Sequence, residues 1–266
     1  MSKVVPVLLV TGFGLNCEAE SRHAWELAGA APTLMHLNDL LEKPERIHDF
    51  AAFMIGGGFS YGDHMGSGLV FAHRIRHHMR EDLQKFIDAG KLVMGVCNGF
   101  QILTKLGLLP ALDGNYFDQT VALMHNDCGT FQNFWVTLRF EPGSPCVFTR
   151  GLETMPLPIR HGEGKIFTTD TALLAGLESK HCVPCRYADP ATGQATGEFP
   201  NNPNGSLNAI AGLCDPTGRI FGLMPHPEAY LFPENHPQWD SQRERRQLPE
   251  RGLGLKLFEN AVNYLH

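Results

Sequence analysis

Cys97 sits between two glycines in Gly95-Val96-Cys97-Asn98-Gly99. A thiol that does covalent chemistry needs a base, donors for an oxyanion and a backbone that presents the sulfur. A sharp strand-to-helix turn presents a nucleophile in this way, and it needs small neighbours because the chain folds back on itself. Gly95 and Gly99 supply that room. At a helix start the sulfur also faces unpaired N–H groups and the positive end of the helix dipole, which favour negative charge. The competing reading is a buried structural cysteine, since free thiols are among the most buried side chains. The paired glycines favour the nucleophile.

Far downstream stands Met224-Pro225-His226-Pro227-Glu228. Residues i and i+2 of an extended segment face the same way. Glu228 can then orient the His226 ring while Pro227 stiffens the link. Alone, the stretch would be a surface loop bracketed by prolines. With Cys97 in the chain it becomes the base and its orienter, completing a Cys-His-Glu set. A third stretch, Gly56-Gly57-Gly58-Phe59-Ser60-Tyr61-Gly62-Asp63, follows the apolar Ala51–Ile55. Neither Gly-x-Gly-x-x-Gly nor a P-loop lysine is present, so phosphate binding is a weak account. Glycines that let N–H groups approach a developing oxyanion are a better one. Cys17 also stands near a helix start, but without flanking glycines it reads as structural.

No metal site is expected. His73 and His77 are spaced i, i+4, but Arg74, Arg76 and Arg80 beside them disfavour a cation, and the stripe reads as a solvated basic face. Cys182-Val-Pro-Cys185 is a lone pair; zinc would want a second pair, and only His181 and Cys214 are near in sequence.

The elements that must hold these residues alternate. Val4–Val10 reads as a strand, then a helix capped by Asn16 and ended by Gly29, then strands over Thr33–Leu37 and Ala51–Ile55. A helix over Leu69–Ala89 closes at Gly90, Leu92–Val96 is a buried strand, and a helix runs Asn98–Lys105. This alternation predicts an α/β fold, a doubly wound, mostly parallel sheet flanked by helices with its site at the strands' C-terminal ends. After Leu109 the pattern changes. Strands are expected over 121–124, 131–140 and 183–187, with a helix over 171–177 and a long loop over 189–206. Ile210–Leu213 and Ile220–Met224 form an added antiparallel hairpin that delivers His226. A polar tail leads into a helix over Leu253–Leu265, whose Leu253, Leu257, Ala261 and Leu265 make a docking stripe.

The chain has 266 residues and a net charge of −6. That length fits a single domain, 1–266, with a C-terminal extension over 234–266. The charge gives no basic footprint for nucleic acid, and no apolar run has membrane-spanning length. Met1-Ser2-Lys3 and the short run after it lack a signal peptide's cleavage site. Seven scattered cysteines argue against a disulfide framework. These features predict a cytoplasmic protein.

Gly-Val-Cys-Asn-Gly-Phe-Gln followed by Pro-His-Pro-Glu resembles the class I, triad-type glutamine amidotransferases. Adding Gly-Gly-Phe-Ser-Tyr-Gly-Asp, His-Gly-Glu-Gly at 161–164 and Asn-Pro-Asn-Gly-Ser at 202–206, the chain is similar to the glutaminase subunits or domains of phosphoribosylformylglycinamidine synthases, from purine biosynthesis. The resemblance spans about residues 7–232 and departs at His125 and Cys128, where the family pattern has Arg and Ser. It implies a flavodoxin-like amidotransferase fold and hydrolysis of glutamine by Cys97, His226 and Glu228 through a thioester. The oxyanion donors would be the N–H groups of Gly58 and Asn98, and Gln101, His161, Gly162 and Glu163 would border the glutamine pocket. It implies no cofactor in this chain. ATP and magnesium belong to a synthetase subunit, which receives the ammonia and makes formylglycinamidine ribonucleotide from formylglycinamide ribonucleotide. Whether a small third subunit joins is left open. Two other readings remain: a stand-alone cysteine hydrolase of the same fold, and a non-catalytic regulatory subunit. An intact Cys97, His226 and Glu228 weigh against the latter.

Overall fold

Apolar runs become interior strands, and amphipathic stretches become the helices that cover them. A computed structural model describes residues 4–266; Met1-Ser2-Lys3, where the segment read as lacking a signal peptide begins, lie outside the described residues. The chain runs β1 (Val5–Thr11), α1 (Glu18–Leu27), β2 (Ala30–His36), α2 (Leu37–Glu42), β3 (Ala52–Ile55), α3 (Leu69–Asp88), β4 (Leu92–Val96) and α4 (Asn98–Leu106). It continues through β5 (Ala122–His125), β6 (Gln132–Phe140), β7 (Thr154–His161), β8 (Glu163–Phe167), α5 (Thr171–Ser179), β9 (Cys185–Ala188), β10 (Ile210–Cys214), β11 (Ile220–Leu223), α6 (Trp239–Glu244) and α7 (Leu255–Leu265).

The large sheet has the order β2-β1-β3-β4-β11-β10-β9-β6-β7. Its neighbours from β2 to β11 are parallel, and those from β11 to β7 antiparallel. The α/β class stands. The antiparallel part extends well past the expected hairpin and joins the same sheet, while β5 and β8 pair separately. β7 was missed as a strand because Pro156 and Pro158 lie inside it. Proline is tolerated on an edge strand, and β7 is the edge. β2 ends before Leu37 because the His36 ring accepts from Asn38 N–H at 3.2 Å and starts α2. Asn16 does not cap α1; Cys17 holds that position, with no side-chain cap bond.

The pairing that matters for the site is β11 beside β4, with Leu223 opposite Val96. Strands β3, β4, β10 and β11 are buried throughout, which is why they read as unbroken apolar runs. The C-terminal helix docks as expected, but by a wider face: Leu255, Leu257, Phe258, Ala261 and Val262 are all buried. Phe258 meets Trp25 of α1 edge-on at 5.3 Å, and Asn260 Nδ2 donates to Phe148 O and Arg150 O, each at 2.9 Å. Among the described residues no helix is long and apolar enough to cross a membrane.

Candidate active site

The turn after β4 carries Cys97 at φ 52°, ψ −107°. L residues avoid this region, and it persists only where the surroundings over-determine it. Here Cys97 N–H donates to Leu223 O at 2.8 Å, and Cys97 O accepts from Gln101 N–H at 3.1 Å to open α4. The flanking glycines are required by close backbone packing. A Cβ at Gly95 would lie 2.7 Å from the Gly99 carbonyl, and one at Gly99 would overlap Ile55 O at the end of β3. The thiol itself faces Arg160 O of β7 at 3.7 Å.

β11 runs parallel to β4, so the residues beyond Leu223 emerge beside Cys97. His226 N–H donates to Pro158 O at 2.9 Å. Its Nδ1 is 2.6 Å from Glu228 Oε1, and both side chains are buried. The shared strand face expected for this pair is corrected by the structure. His226 is extended, but Pro227–Ala229 form a short 3-10 turn with Pro227 at its start, and that turn swings Glu228 back to the ring. Burial disfavours charge on the His226 imidazole. The Glu228 carboxylate, then the Cys97 and Cys17 thiols, overcome it and hold the group well above its ordinary range. His226 Nε2 has no hydrogen-bond partner among the described residues.

Gly58 lies across from this turn. The bridge between Leu15 and Gly58 is made by Phe59 N–H to Gly14 O at 2.9 Å and Asn16 N–H to Gly57 O at 3.0 Å. Gly58's own N–H takes no part in it. Gly58 has φ 148°, and a Cβ there would lie 2.6 Å from Leu15 Cα, so only glycine brings its N–H this close. Asn98 N–H opens α4, where helix donors lack partners. The Asn98 side chain fixes the turn: Oδ1 accepts from Ser60 N–H at 3.1 Å, and Nδ2 donates to Gln101 Oε1 at 2.8 Å. Gln101 Nε2 in turn donates to Glu163 O at 2.6 Å. The Gln101 amide thus ties α4 to the His161–Glu163 stretch.

That stretch is the junction of β7 and β8. Asn126 grips it, with Nδ2 donating to His161 O at 2.9 Å, Oδ1 meeting His161 Nδ1 at 3.1 Å, and its N–H donating to Gly162 O at 2.9 Å. The Glu163 carboxylate turns away from Gln101, accepting from Ser67 N–H at 3.3 Å and facing His125 Nδ1 at 3.6 Å. Sequence reasoning missed Asn126; its only signal is an asparagine in a turn between two strands. Asn204, in the Asn-Pro-Asn-Gly-Ser loop, donates to Gly164 O at 2.9 Å.

Burial, and then the charge of His226, push His161 down from 6.5 to about 3. Between those values the unfolded chain binds a proton that the folded protein refuses. Stability is therefore intact above pH 6.5 and falls as the pH drops towards 3. From pH 7 to pH 5 this group alone removes about 2 kcal/mol, at about 1.4 kcal/mol per pH unit below its unfolded value. Urea unfolding at both pH values should show the wild type losing that much more than His161→Gln. Equal losses would show that another group carries the slope.

Cys17 was misread. It is buried, and its Sγ lies 4.0 Å from His226 Nδ1, brought there because Cys17 N–H donates to Gly57 O at 3.3 Å. Its sequence neighbourhood carries no sign of this, since the contact joins the two ends of the chain. Burial pushes its thiol up, partly offset by His226. Cys182 and Cys185 do acquire buried neighbours in Cys146 and Cys214. No three of them, however, bring their sulfurs within 4.8 Å of one another among the described residues. His73 and His77 are exposed, as expected.

Residues 4–265 match the family described as the CobB/CobQ-like glutamine amidotransferase domain. The chain is 42% identical over 273 residues to "Phosphoribosylformylglycinamidine synthase subunit PurQ" of Methanococcus maripaludis, covering all of both chains. It is 41% identical to the protein of the same name from Dehalococcoides mccartyi, covering 99% of this chain and 98% of that one. Among solved structures, PurLQS from Thermotoga maritima aligns with a TM-score of 0.71 at 30% identity, over 99% of this chain and 100% of the matched one.

Proposed function

The chain belongs to the CobB/CobQ-like glutamine amidotransferase family, and from that premise we propose that it is the glutamine-hydrolysing subunit of a phosphoribosylformylglycinamidine synthase. One observation carries the assignment: a strained cysteine at a glycine-bounded turn and a buried imidazole held by a carboxylate share one site. Cys97 sulfur attacks the side-chain amide carbon of glutamine. The oxyanion is received by the N–H groups of Gly58 and Asn98, each such donor being worth about 3–4 kcal/mol of barrier. His226 gives its proton to the departing ammonia, leaving a thioester. It then takes a proton from water, whose oxygen attacks the thioester carbon, and glutamate leaves as sulfur is released. Glu228 keeps the ring oriented and stabilises its charge. Gln101, His161, Gly162 and Glu163 form the wall on which glutamine rests, largely through main-chain groups.

Ammonia passes to a synthetase subunit that converts formylglycinamide ribonucleotide to formylglycinamidine ribonucleotide. ATP and magnesium are used on that subunit, and this chain needs no cofactor for its half-reaction. The names of the full-length relatives and the PurLQS structure support the partnership. So does the site's rim: Phe59 and Phe131 are exposed beside it, with rings 6.1 Å apart, the kind of apolar edge that a partner covers. A role in purine biosynthesis supports a cytoplasmic location.

The test is to treat the assembled complex with a chloroketone analogue of glutamine and map the adduct by mass spectrometry. An adduct on Cys97 that tracks the loss of glutamine-dependent synthesis is expected. Inactivation with the adduct on Cys17 would move the nucleophile, and a working complex with neither cysteine labelled would overturn the reading. Glu228→Gln keeps a hydrogen-bonding group but removes the charge that stabilises the imidazolium. Its glutamine-dependent kcat should fall by about 10²–10⁴, judged from the cost of the equivalent change in a Ser-His-Asp triad. An unchanged kcat would show that the carboxylate only packs there.

A further inference from the structure

Cys17 lies inside the site and has no step in the reaction. Its Sγ is 4.0 Å from His226 Nδ1, the same nitrogen that Glu228 Oε1 holds at 2.6 Å. A cysteine sulfur, an imidazole nitrogen and a carboxylate oxygen, all on buried residues, thus lie within 4.8 Å of one another. No other group of three His, Cys, Asp or Glu side chains does so among the described residues. One atom of the cluster, Glu228 Oε2, is buried with no hydrogen-bond partner among the described residues. A buried carboxylate oxygen without a donor is costly, and a cation would satisfy it.

We propose that Cys17, His226 and Glu228 form a binding site for a thiophilic divalent cation of the zinc class, and that filling it switches glutamine hydrolysis off. The switch rests on the catalytic role given to His226; the binding does not. Thiolate, imidazole and carboxylate are the donors that zinc takes. The thiolate and carboxylate also carry two negative charges against the ion's two positive ones. On binding, the cation forms bonds to Cys17 Sγ, His226 Nδ1 and a Glu228 oxygen. The thiol proton and the proton on Nδ1 leave to solvent. Bonds of about 2.3 Å to sulfur and about 2.0 Å to nitrogen and oxygen in a tetrahedral centre set sulfur and nitrogen about 3.5 Å apart and nitrogen and oxygen about 3.3 Å apart, so side-chain rotation must close the sulfur–nitrogen gap and open the 2.6 Å Nδ1–Oε1 hydrogen bond. Gly57 leaves the two side by side: a Cβ there would lie 2.7 Å from His226 Cε1 and 3.0 Å from Cys17 Sγ. An imidazole bound through Nδ1 cannot carry two protons, so it cannot become the imidazolium that protonates ammonia. Glu228 would also stop orienting it.

Cobalt(II), added to the full chain, tests the ligand set by absorption. A sulfur-to-cobalt band in the near ultraviolet, at one equivalent and displaced by zinc, is expected in the wild type. Cys97→Ala should keep it, and Cys17→Ser should lose it although Cys97 is still present. No band in the wild type overturns the site. So does a band lost in Cys97→Ala, which would place the metal on the nucleophile. If Cys17→Ser misfolds, the Cys97→Ala result decides alone. In the assembled complex, zinc should inhibit glutamine-dependent synthesis, and Cys17→Ser should raise the half-inhibiting concentration at least about tenfold, relative to its own metal-free rate. Equal sensitivity would overturn the switch. These outcomes are separate from the catalytic assignment, which fails if Cys97→Ala still hydrolyses glutamine.

Discussion

Cys97→Ala is expected to lower glutamine-dependent synthesis by the assembled complex by about 10⁴–10⁶, the range found when a covalent nucleophile is removed from a triad. The same complex should make its product from added ammonium at the wild-type rate. The two halves of this result separate chemistry from structure. On the proposed mechanism no thioester forms without the sulfur, and the proposed donors at Gly58 and Asn98 have no tetrahedral oxyanion to receive. Ammonium enters after the step that Cys97 performs, so a folded variant still supports it. Alanine is small enough for the turn, and removing the thiol loses its contact with Arg160 O at 3.7 Å and its interaction with the His226 ring. Parallel assays with glutamine and with ammonium, under the same ATP, read both rates. Loss of both would mean that Cys97 holds the complex together and is not the nucleophile.

Gly99→Ala should be the more damaging change for the fold, although it removes no chemical group. Its Cβ would overlap Ile55 O and lie 2.7 Å from Ile55 C and 3.1 Å from Gly56 O, all of them backbone. Backbone cannot move aside as a flexible side chain can. The start of α4 must lift from the end of β3, or β3 and the glycines after it must shift. Overpacking of this kind costs about 1–3 kcal/mol or more, and each kcal/mol lowers Tm by roughly 2–4 °C in a chain of this size. The same shift separates the N–H groups of Gly58 and Asn98, the proposed oxyanion donors, so activity should fall further than stability. Gly114→Ala is the matched control. Its φ is 73°, but a Cβ there meets nothing within 4 Å, so it should cost only the roughly 1–2 kcal/mol of a left-handed alanine. Thermal melts of both variants check this. If they lose equal stability, the packing of α4 on β3 does not constrain the elbow.

Legibility in the sequence followed the range of the interaction that each feature depends on. The strand into Cys97 and the helix out of it were readable because apolar runs and helix periodicity are local. The need for Gly95 and Gly99 was readable because a tight turn demands small residues within a few positions. The pairing of His226 with Glu228 was readable as a pairing, but not its geometry, since Pro227 begins a 3-10 turn where an extended link was expected. β7 escaped because proline inside a strand normally argues against one, and its edge position is a fact of topology.

The sequence by itself determined the kinds of groups this protein brings to glutamine: a thiol at a glycine-bounded bend, an imidazole with its carboxylate, and backbone donors freed by glycine. Each depends on residues a few positions apart, so a linear string records it. Only the tertiary structure decided that β11 slots in parallel beside β4 and so sets His226 against Cys97. It also decided that Asn126 grips the His161 turn, and that Cys17, from the other end of the chain, lies against the His226 ring. Those placements follow from strand order and burial, which arise from the summed packing of the whole sheet and leave no local mark in the residues they bring together.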